Sequence, residues 1–183
     1  MTKVERLKKL LDQPGIVVAP GVYDCIGAKI AQKVGFDVVY MTGNGAVASH
    51  LGVPDMGLAT MSQMVEWAGN IANCVDIPLM SDADNGYGGI QNVSYAVKQF
   101  EAAGVAAIHL EDQGFPKRCG AMKGVSVISA EEAADKIKVA VKTRKEMIIV
   151  ARSDCMSVYH DTDEMVRRLN LFADAGADLV YPE

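Results

Sequence analysis

The strongest constraint on the fold is a regular alternation of short apolar segments with helix-length segments along the whole chain. The predicted strands cover Ile16–Pro20, Val38–Thr42, Pro78–Asp84, Ala107–Asp112, Met147–Asp154 and Leu179–Glu183. The predicted helices between them cover Cys25–Val34, Ser62–Cys74, Gln91–Ala103, Ala130–Thr143 and Thr162–Ala175. Strands that alternate with helices in this way predict βα units and a parallel sheet.

Polar residues at the ends of the predicted strands separate two arrangements of such a sheet. A doubly wound sheet gathers functional side chains at one switch point, whereas a (β/α)₈ barrel presents them at the carboxyl ends of many strands. Polar residues end five of the six predicted strands, and Tyr23 and Asp24 follow the first one. Gly35, Gly104 and Gly176 also follow helices at intervals of roughly 70 residues, the length of two βα units in a barrel. The sequence therefore predicts an α/β fold of the (β/α)₈ TIM-barrel type, with about the first six units in a single domain over residues 1–183.

A barrel of only six units would leave apolar edges on its first and last strands. The interpretation favoured by the sequence is that the chain is a C-terminally truncated piece of a longer protein. A partner chain that completes the sheet, and an unusual closure of the sheet, are the alternatives.

Composition and charge exclude several classes of partner. Half of the residues are hydrophobic and 22% are charged, which is enough for a buried core. Lys and Arg number 18 against 23 Asp and Glu, and a net charge of −5 argues against a nucleic-acid partner. No apolar run approaches the roughly 18–20 residues of a membrane span. The four cysteines form no CxxC pair, so we expect reduced thiols and a cytoplasmic protein.

Four acidic residues are predicted to meet at one end of the sheet. Asp82 and Asp84 are two residues apart and so point to the same side of a strand, Glu111 ends the next strand, and Asp55 follows the second strand. Carboxylates at this density repel one another unless a hard cation binds them, and oxygen ligands suit Mg²⁺, with Mn²⁺ as a second possibility. Taken singly, Asp82 or Glu111 is better explained as a helix N-terminal cap, and only the set as a whole favours a metal site.

A loop between the fourth strand and the next helix carries Cys119 directly after Lys117 and Arg118. Adjacent cations favour the thiolate form of a cysteine, and glycines on both sides give the loop the freedom to move as a lid. The residues alone leave open whether this thiol has a function. Arg152, at the end of the fifth strand, is suited either to bind a carboxylate ligand or to form a salt bridge within the protein.

Six segments resemble the isocitrate lyase/phosphoenolpyruvate mutase superfamily. They are Tyr40-Met-Thr-Gly-Asn-Gly, Leu51-Gly-Val-Pro-Asp55, Asp82-Ala-Asp-Asn-Gly-Tyr-Gly88, His109-Leu-Glu-Asp-Gln113, Lys117-Arg-Cys-Gly120 and Ala151-Arg-Ser-Asp154. The similarity is strongest to the 2-methylisocitrate lyase, 2,3-dimethylmalate lyase and carboxyvinyl-carboxyphosphonate phosphorylmutase-like members. It implies a (β/α)₈ barrel that forms a homotetramer when full length.

The resemblance also implies a role for each matching residue. It implies that Asp84 contacts Mg²⁺ directly, while Asp82, Glu111 and Asp55 hold the water molecules of the ion. The catalytic residues that it implies are Cys119, as the acid/base of a gating loop, with Lys117 and Tyr40. The substrate-binding residues that it implies are Tyr40, Thr42, Gly43, Asn44, Gly120, Arg152 and Glu183.

The activity implied by the resemblance is that of a Mg²⁺-dependent carbon–carbon lyase. Its substrate would be a small 2-hydroxy di- or tricarboxylate, of the 2-methylisocitrate or 2,3-dimethylmalate type, cleaved to a 2-oxoacid and a dicarboxylate. The alternatives are oxaloacetate hydrolysis, phosphonate mutase chemistry of the carboxyphosphonoenolpyruvate type, and, in another class, an inactive barrel fragment. Two residues depart from the family pattern: Ala121 replaces a histidine that usually follows the loop motif, and Asn85 replaces a small or aliphatic residue. The residues that select the substrate are expected beyond Glu183.

Overall fold

Six parallel strands form one sheet in the order in which they occur along the chain. The structure is a computed structural model that describes residues 1–183. The strands are β1 (Gly21–Val22), β2 (Val39–Met41), β3 (Leu79–Asp82), β4 (Ala107–Glu111), β5 (Ile148–Ser153) and β6 (Leu179–Pro182). Each strand pairs with the next one along the chain, and β1 and β6 do not pair with each other. This order matches six consecutive units of a (β/α)₈ barrel and confirms the predicted fold class.

Eight helices connect or flank these strands. They are α1 (Lys3–Leu11), α2 (Cys25–Val34), α3 (Gly43–Leu51), α4 (Met61–Cys74), α5 (Ile90–Ala102), α6 (Ala130–Thr143), α7 (Cys155–Tyr159) and α8 (Thr162–Asp174). None of them is both long and apolar enough to cross a membrane.

The helix ends follow signals that are visible in the sequence. The Ser129 hydroxyl accepts a hydrogen bond from the backbone N–H of Glu132 at 3.2 Å, so this serine caps the N-terminus of α6. Gly35, Gly104 and Gly176 follow their helices with φ angles of 106°, 89° and 99°. A left-handed residue at this position reverses the chain toward the next strand, and glycine adopts it without steric cost.

Three local predictions were wrong or incomplete. The first strand was predicted at Ile16–Pro20, but β1 lies at Gly21–Val22. The apolar pattern placed the strand too early, because Ile16 is 91% exposed and is not part of the core. Pro20 has no N–H to donate, and only its carbonyl pairs with β2, accepting from the N–H of Tyr40 at 3.0 Å. Helices α3 and α7 were not predicted, since α3 begins Gly-Asn-Gly and α7 has only five residues.

Two apolar clusters hold the sheet in place. The larger one contains 32 buried residues that lie between the sheet and the surrounding helices. The smaller one gathers Leu7 of α1 with Val38, Ala106 and Ile148, which lie at the amino ends of their strands or just before them. Helix α1 therefore closes the end of the sheet opposite the carboxyl ends of the strands.

The substitution Leu7→Ala tests this role of α1. Leu7 is completely buried, and we expect its truncation to lower the free energy of unfolding by about 2–5 kcal/mol, because it leaves a cavity in a closed apolar cluster. Urea denaturation measures the change. The matched control is Leu58→Ala, at a leucine that is 58% exposed, which should stay within about 0.5 kcal/mol of the original protein; an equal effect of the two changes would contradict this account.

Candidate active site

The carboxyl ends of the strands surround a cavity of about 590 Å³. The predicted site residues that line it are Tyr40, Thr42, Asn44, Asp55, Asp82, Glu111, Lys117, Cys119, Gly120, Arg152 and Glu183. The two remaining predicted residues, Gly43 and Asp84, lie behind the wall and contact residues that line it. The structure thus brings together residues that are far apart in the sequence, because the ends of parallel strands meet at one edge of the sheet.

Two glycines of the site are required by close packing. A side chain at Gly43 would collide with the carboxylate of Asp82, and a side chain at Gly120 would collide with the guanidinium of Arg152. Gly43 begins α3, and Gly120 directly follows Cys119 on the loop. Both backbones therefore approach charged side chains of the cavity as closely as a chain can.

Lys117 is the cation at the centre of the acidic cluster. Its ammonium nitrogen lies 2.8 Å from Oδ2 of Asp55 and 2.5 Å from Oδ1 of Asp84, and all three side chains are at most 6% exposed. Burial lowers the pKa of Lys117, but Asp84 and the other carboxylates outweigh burial and raise it well above its usual range. The sequence suggested that Lys117 acts on Cys119, its neighbour on the loop. In the structure its ammonium group instead pairs with Asp55 and Asp84, two of the predicted metal-binding residues.

The carboxylates themselves carry a strong electrostatic penalty. Burial, and then the charge of Asp82, raise the pKa of Asp84 to about 7, even though Lys117 opposes the shift. The same two causes raise the pKa of Glu111 well above its usual range. Oε1 of Glu111 is buried and has no hydrogen-bond partner. The cluster therefore has one buried carboxylate oxygen, on Glu111, that lacks a partner.

Net charge and geometry together indicate which kind of ion these residues fit. Four carboxylates, from Asp55, Asp82, Asp84 and Glu111, face the single cation Lys117 at their centre, with Arg152 as the nearest other one. No three His, Cys, Asp or Glu side chains lie close enough together to bind a metal ion directly. The set fits a hard divalent cation that keeps most of its water, which the surrounding carboxylates would hold.

Two neutral side chains form a pair in the cavity wall. The Tyr40 hydroxyl lies 3.0 Å from Nδ1 of His109. Burial raises the pKa of the Tyr40 hydroxyl, and burial lowers the pKa of His109 to about 4, so both are uncharged at neutral pH. The Tyr181 ring packs edge-on against the His109 ring at 5.3 Å between centroids. Neither His109 nor Tyr181 was predicted as a site residue, although His109 lies two positions before Glu111 and so shares its side of β4.

Arg152 makes salt bridges within the protein and also faces the cavity. Its guanidinium lies 2.5 Å from Oδ1 of Asp154, 3.5 Å from Oε2 of Glu183 and 3.9 Å from Oε2 of Glu111. The sequence left open whether this arginine pairs with a protein carboxylate or is available to a ligand. The salt bridges within the protein are confirmed, and the same guanidinium also lines the cavity.

The loop after β4 brings Cys119 to the same cavity. The backbone N–H of Cys119 donates to the backbone carbonyl of Asp55 at 2.9 Å, and its side chain is partly exposed. The other cysteines are placed as core residues: Cys155 is buried, and Cys25 and Cys74 pack against the large apolar cluster. Among the four thiols, Cys119 is therefore the one that lines the cavity.

Comparison with known proteins shows a consistent set of similarities. Residues 7–183 match the family described as phosphoenolpyruvate phosphomutase. The whole chain is 44% identical to 64% of a 2,3-dimethylmalate lyase from Eubacterium barkeri. Of the chain, 97% is 41% identical to 57% of a 2-methylisocitrate lyase from Aeropyrum pernix.

Solved structures extend these similarities to the fold. An oxaloacetate acetylhydrolase in complex with 3,3-difluorooxalacetate superimposes on the whole chain with a TM-score of 0.95 and 38% identity, over 63% of that protein. A phosphonopyruvate hydrolase in complex with oxalate and Mg²⁺ superimposes with a TM-score of 0.91 and 33% identity, also over 63% of its chain. The chain thus spans about three-fifths of the length of the proteins that it matches.

The raised pKa of Asp84 predicts how stability depends on pH. In the folded chain Asp84 keeps its proton until about pH 7, whereas an unfolded aspartate releases it near pH 4. Between these values the folded state binds more protons, so the free energy of unfolding should fall as the pH rises. We expect Asp84→Asn to make that fall shallower in urea titrations at about pH 5 and about pH 8 with a chelator present. Asp135→Asn, at an exposed aspartate of α6, is the matched control and should leave the pH dependence of the free energy of unfolding unchanged. If Asp84→Asn also leaves this pH dependence unchanged, the Asp84 carboxyl is not its cause.

Proposed function

The chain belongs to the phosphoenolpyruvate phosphomutase family, and we propose that it is a carbon–carbon lyase. The proposed reaction depends on Mg²⁺ and cleaves a small 2-hydroxy di- or tricarboxylate. The observation that carries the proposal is the position of Cys119, whose loop lines the same cavity as Arg152 and the acidic cluster. A cysteine at this place provides a proton donor for carbon, which the lyase reaction needs. The relatives named as lyases support the same activity.

Substrate binding would depend on the charged and polar groups of the cavity wall. Arg152 offers a planar guanidinium to a substrate carboxylate, which would displace or share the contact with Glu183 at 3.5 Å. Thr42 and Asn44 lie at the start of α3, where polar side chains and free backbone N–H groups suit an anionic oxygen. The neutral Tyr40 hydroxyl adds a hydrogen-bond donor or acceptor that His109 orients.

The acidic cluster would hold the metal ion. Asp84 is the proposed direct ligand, and Asp82, Glu111 and Asp55 are proposed to hold the water molecules of the ion. The ion would supply the positive charge that the buried Glu111 oxygen lacks. When bound, Mg²⁺ would stabilise negative charge that develops on the substrate oxygens. The similar phosphonopyruvate hydrolase that contains Mg²⁺ supports this assignment.

The protein groups then account for the proton transfers. The 2-hydroxyl group of the substrate would release its proton to a carboxylate of the acidic cluster, which lines the same cavity. The carbon–carbon bond to the next carbon would then break, and the electron pair would remain on that carbon. Cys119 would donate the proton from its Sγ to this carbon, so that a 2-oxoacid and a second carboxylate leave the cavity. Closure of the Cys119 loop would exclude water, which otherwise competes as a proton donor.

Product analysis separates this reaction from its alternatives. Oxaloacetate hydrolysis and phosphonate chemistry remain candidates because structures of both kinds of hydrolase superimpose on the chain. The protein would be incubated with Mg²⁺ and, in turn, with 2-methylisocitrate, 2,3-dimethylmalate, oxaloacetate and phosphonopyruvate, and the products identified by NMR. A 2-oxoacid from the hydroxy acids supports the lyase. Oxalate from oxaloacetate favours the hydrolase, and no product from any of them favours an inactive fragment.

Assembly and compartment are part of the same proposal. We propose a homotetramer in the cytoplasm. Helix α2 exposes Ile26, Ile30 and Val34 on one face, which supports contact with further protein surface. All four cysteines are free, which supports a reducing compartment.

The metal assignment predicts the effect of Asp84→Ala. Loss of the direct ligand should abolish Mg²⁺-dependent turnover and remove the heat of Mg²⁺ binding in isothermal titration calorimetry. Asp37→Ala, at an exposed aspartate that pairs with Arg6 on the surface, is the matched control. Unchanged turnover with the same dependence on magnesium would show that Asp84 does not bind the metal.

The role of Cys119 predicts a selective loss of cleavage. Cys119→Ser should lower kcat by at least about 10²-fold, the lower end for a positioned general acid. Binding of a dicarboxylate inhibitor should survive, because Arg152 and the acidic cluster are unchanged. Cys25→Ser serves as the control thiol. Full cleavage activity in the Cys119 variant would remove the main support for the lyase and favour the hydrolase.

The departure at Ala121 predicts a gain of function. A histidine two residues after Cys119 would provide a proton-transfer partner for the thiol that this chain lacks, and Ala121 is exposed, so the larger side chain has room. We expect Ala121→His to raise kcat while KM stays close to its original value, as measured by steady-state kinetics. Ala121→Gln is the size control and should not raise it; equal gains in both variants would mean that proton transfer is not the cause.

A further inference from the structure

One buried glutamine binds both main-chain groups of the residue that precedes Cys119. Gln113, which is 1% exposed, lies two residues after the end of β4. Its side-chain nitrogen donates to the carbonyl oxygen of Arg118 at 2.8 Å, and the backbone N–H of Arg118 donates to Oε1 of Gln113 at 3.0 Å. The amide of Gln113 thus pairs with the loop as a neighbouring strand would, through one donor and one acceptor.

The residues on either side of Arg118 are held by other partners. Lys117 forms its ion pairs with Asp55 and Asp84, and the N–H of Cys119 donates to the carbonyl of Asp55. Both of these anchors involve residues of the acidic cluster, namely Asp55 and Asp84. Gln113 does not belong to the acidic cluster, so it can hold the loop whatever the cluster binds.

The same glutamine side chain also reaches the substrate-binding side of the cavity. Its nitrogen lies 3.3 Å from Oδ2 of Asp154, whose other oxygen, Oδ1, accepts from the guanidinium of Arg152. Gly120 packs directly against that guanidinium. A continuous chain of hydrogen bonds therefore joins Arg118 to Arg152 through Gln113 and Asp154.

We propose that Gln113 is a positioning residue that holds the Cys119 loop closed over the cavity and links that closure to the orientation of Arg152. The inference deepens the proposed function, from which the role of Cys119 comes. A side chain at position 113 can do this only if it carries both a hydrogen-bond donor and an acceptor and is as long as glutamine. Glutamate lacks the donor and would place an oxygen against the Arg118 carbonyl and the Asp154 carboxylate, and methionine lacks both groups.

The test measures how fast Cys119 is alkylated by iodoacetamide, read by peptide mapping of the intact chain. In Gln113→Met and in Gln113→Glu we expect alkylation of Cys119 to be about tenfold faster, because opening of the loop no longer breaks two hydrogen bonds. Cys155 lies next to Asp154 and is completely buried, so it reports on local folding and should stay unlabelled. The rate at Cys25 should not change.

A second glutamine provides the matched control. Gln32 of α2 also pairs through both ends of its amide, accepting from the N–H of Asp76 at 2.7 Å and donating to the Asp76 carboxylate at 3.3 Å. Its position lies outside the cavity wall. Gln32→Met should therefore leave the alkylation rate of Cys119 unchanged.

The outcomes separate this inference from its rivals. Equal Cys119 rates in the Gln113 variants and the original chain would overturn it, and so would labelling of Cys155 together with Cys119, which indicates local unfolding. If neither variant folds, hydrogen exchange of the original chain decides: slow exchange of the Arg118 N–H supports the inference, and exchange as fast as that of an open loop overturns it. The labelling needs no substrate, so its result does not depend on lyase activity. Absence of lyase activity would refute the proposed function, and faster labelling of Cys119 in the Gln113 variants would still support this inference.

Discussion

The ion pairs of Lys117 with Asp55 and Asp84 are the interaction on which the site depends. They tie a loop that follows β4 to carboxylates that follow β2 and β3, and all three side chains are buried. Removing one partner of a buried pair typically costs about 3–5 kcal/mol, because the other charge is left without compensation. The same pairs explain why Cys119 lies beside the cavity, since it follows Lys117 by two residues on the same short loop.

The cluster remains short of positive charge even with Lys117 in place. Glu111 has a buried oxygen without a partner, and the pKa of Asp84 is raised to about 7 by burial and by Asp82. A folded chain keeps such a penalty only where something else offsets it, and functional sites are where this is usually found. The proposed divalent cation would offset it, and it would do so at the position where the reaction develops negative charge.

Two neutral side chains lie among the charged groups of the cavity. Tyr40 and His109 are neutral because burial disfavours the charged form of each. Arg152, which lines the same cavity, contacts the carboxylates of Glu111, Asp154 and Glu183. In the proposed function, the neutral pair would orient an anionic substrate, Arg152 would bind one of its carboxylates, and its reacting carbon would face Cys119.

The order of the strands, the fold class and most of the residues that line the cavity were predictable from the sequence. Local signals carried that prediction: glycines after helices, and acids two residues apart on one strand, as for Asp82 and Asp84. The first strand was misplaced because Ile16 and Val18 have the pattern of a strand but lie exposed. His109 and Gln113 were quoted within a motif and yet received no role, because periodicity says which side of a strand a residue faces and not what it meets there.

What the sequence by itself determined is therefore most of the elements and the residues that end them, since helix caps, turns and side-chain alternation depend on neighbours along the chain. Only the tertiary structure decided the partners. In the folded chain, Lys117 pairs with the carboxylate of Asp84, and the amide of Gln113 binds the main chain of Arg118. Arg152 pairs with Asp154 and Glu183 and also lines the cavity. These contacts join segments that are separated along the chain and become neighbours only when the parallel strands align, and pairing across such distances depends on packing that no local pattern encodes.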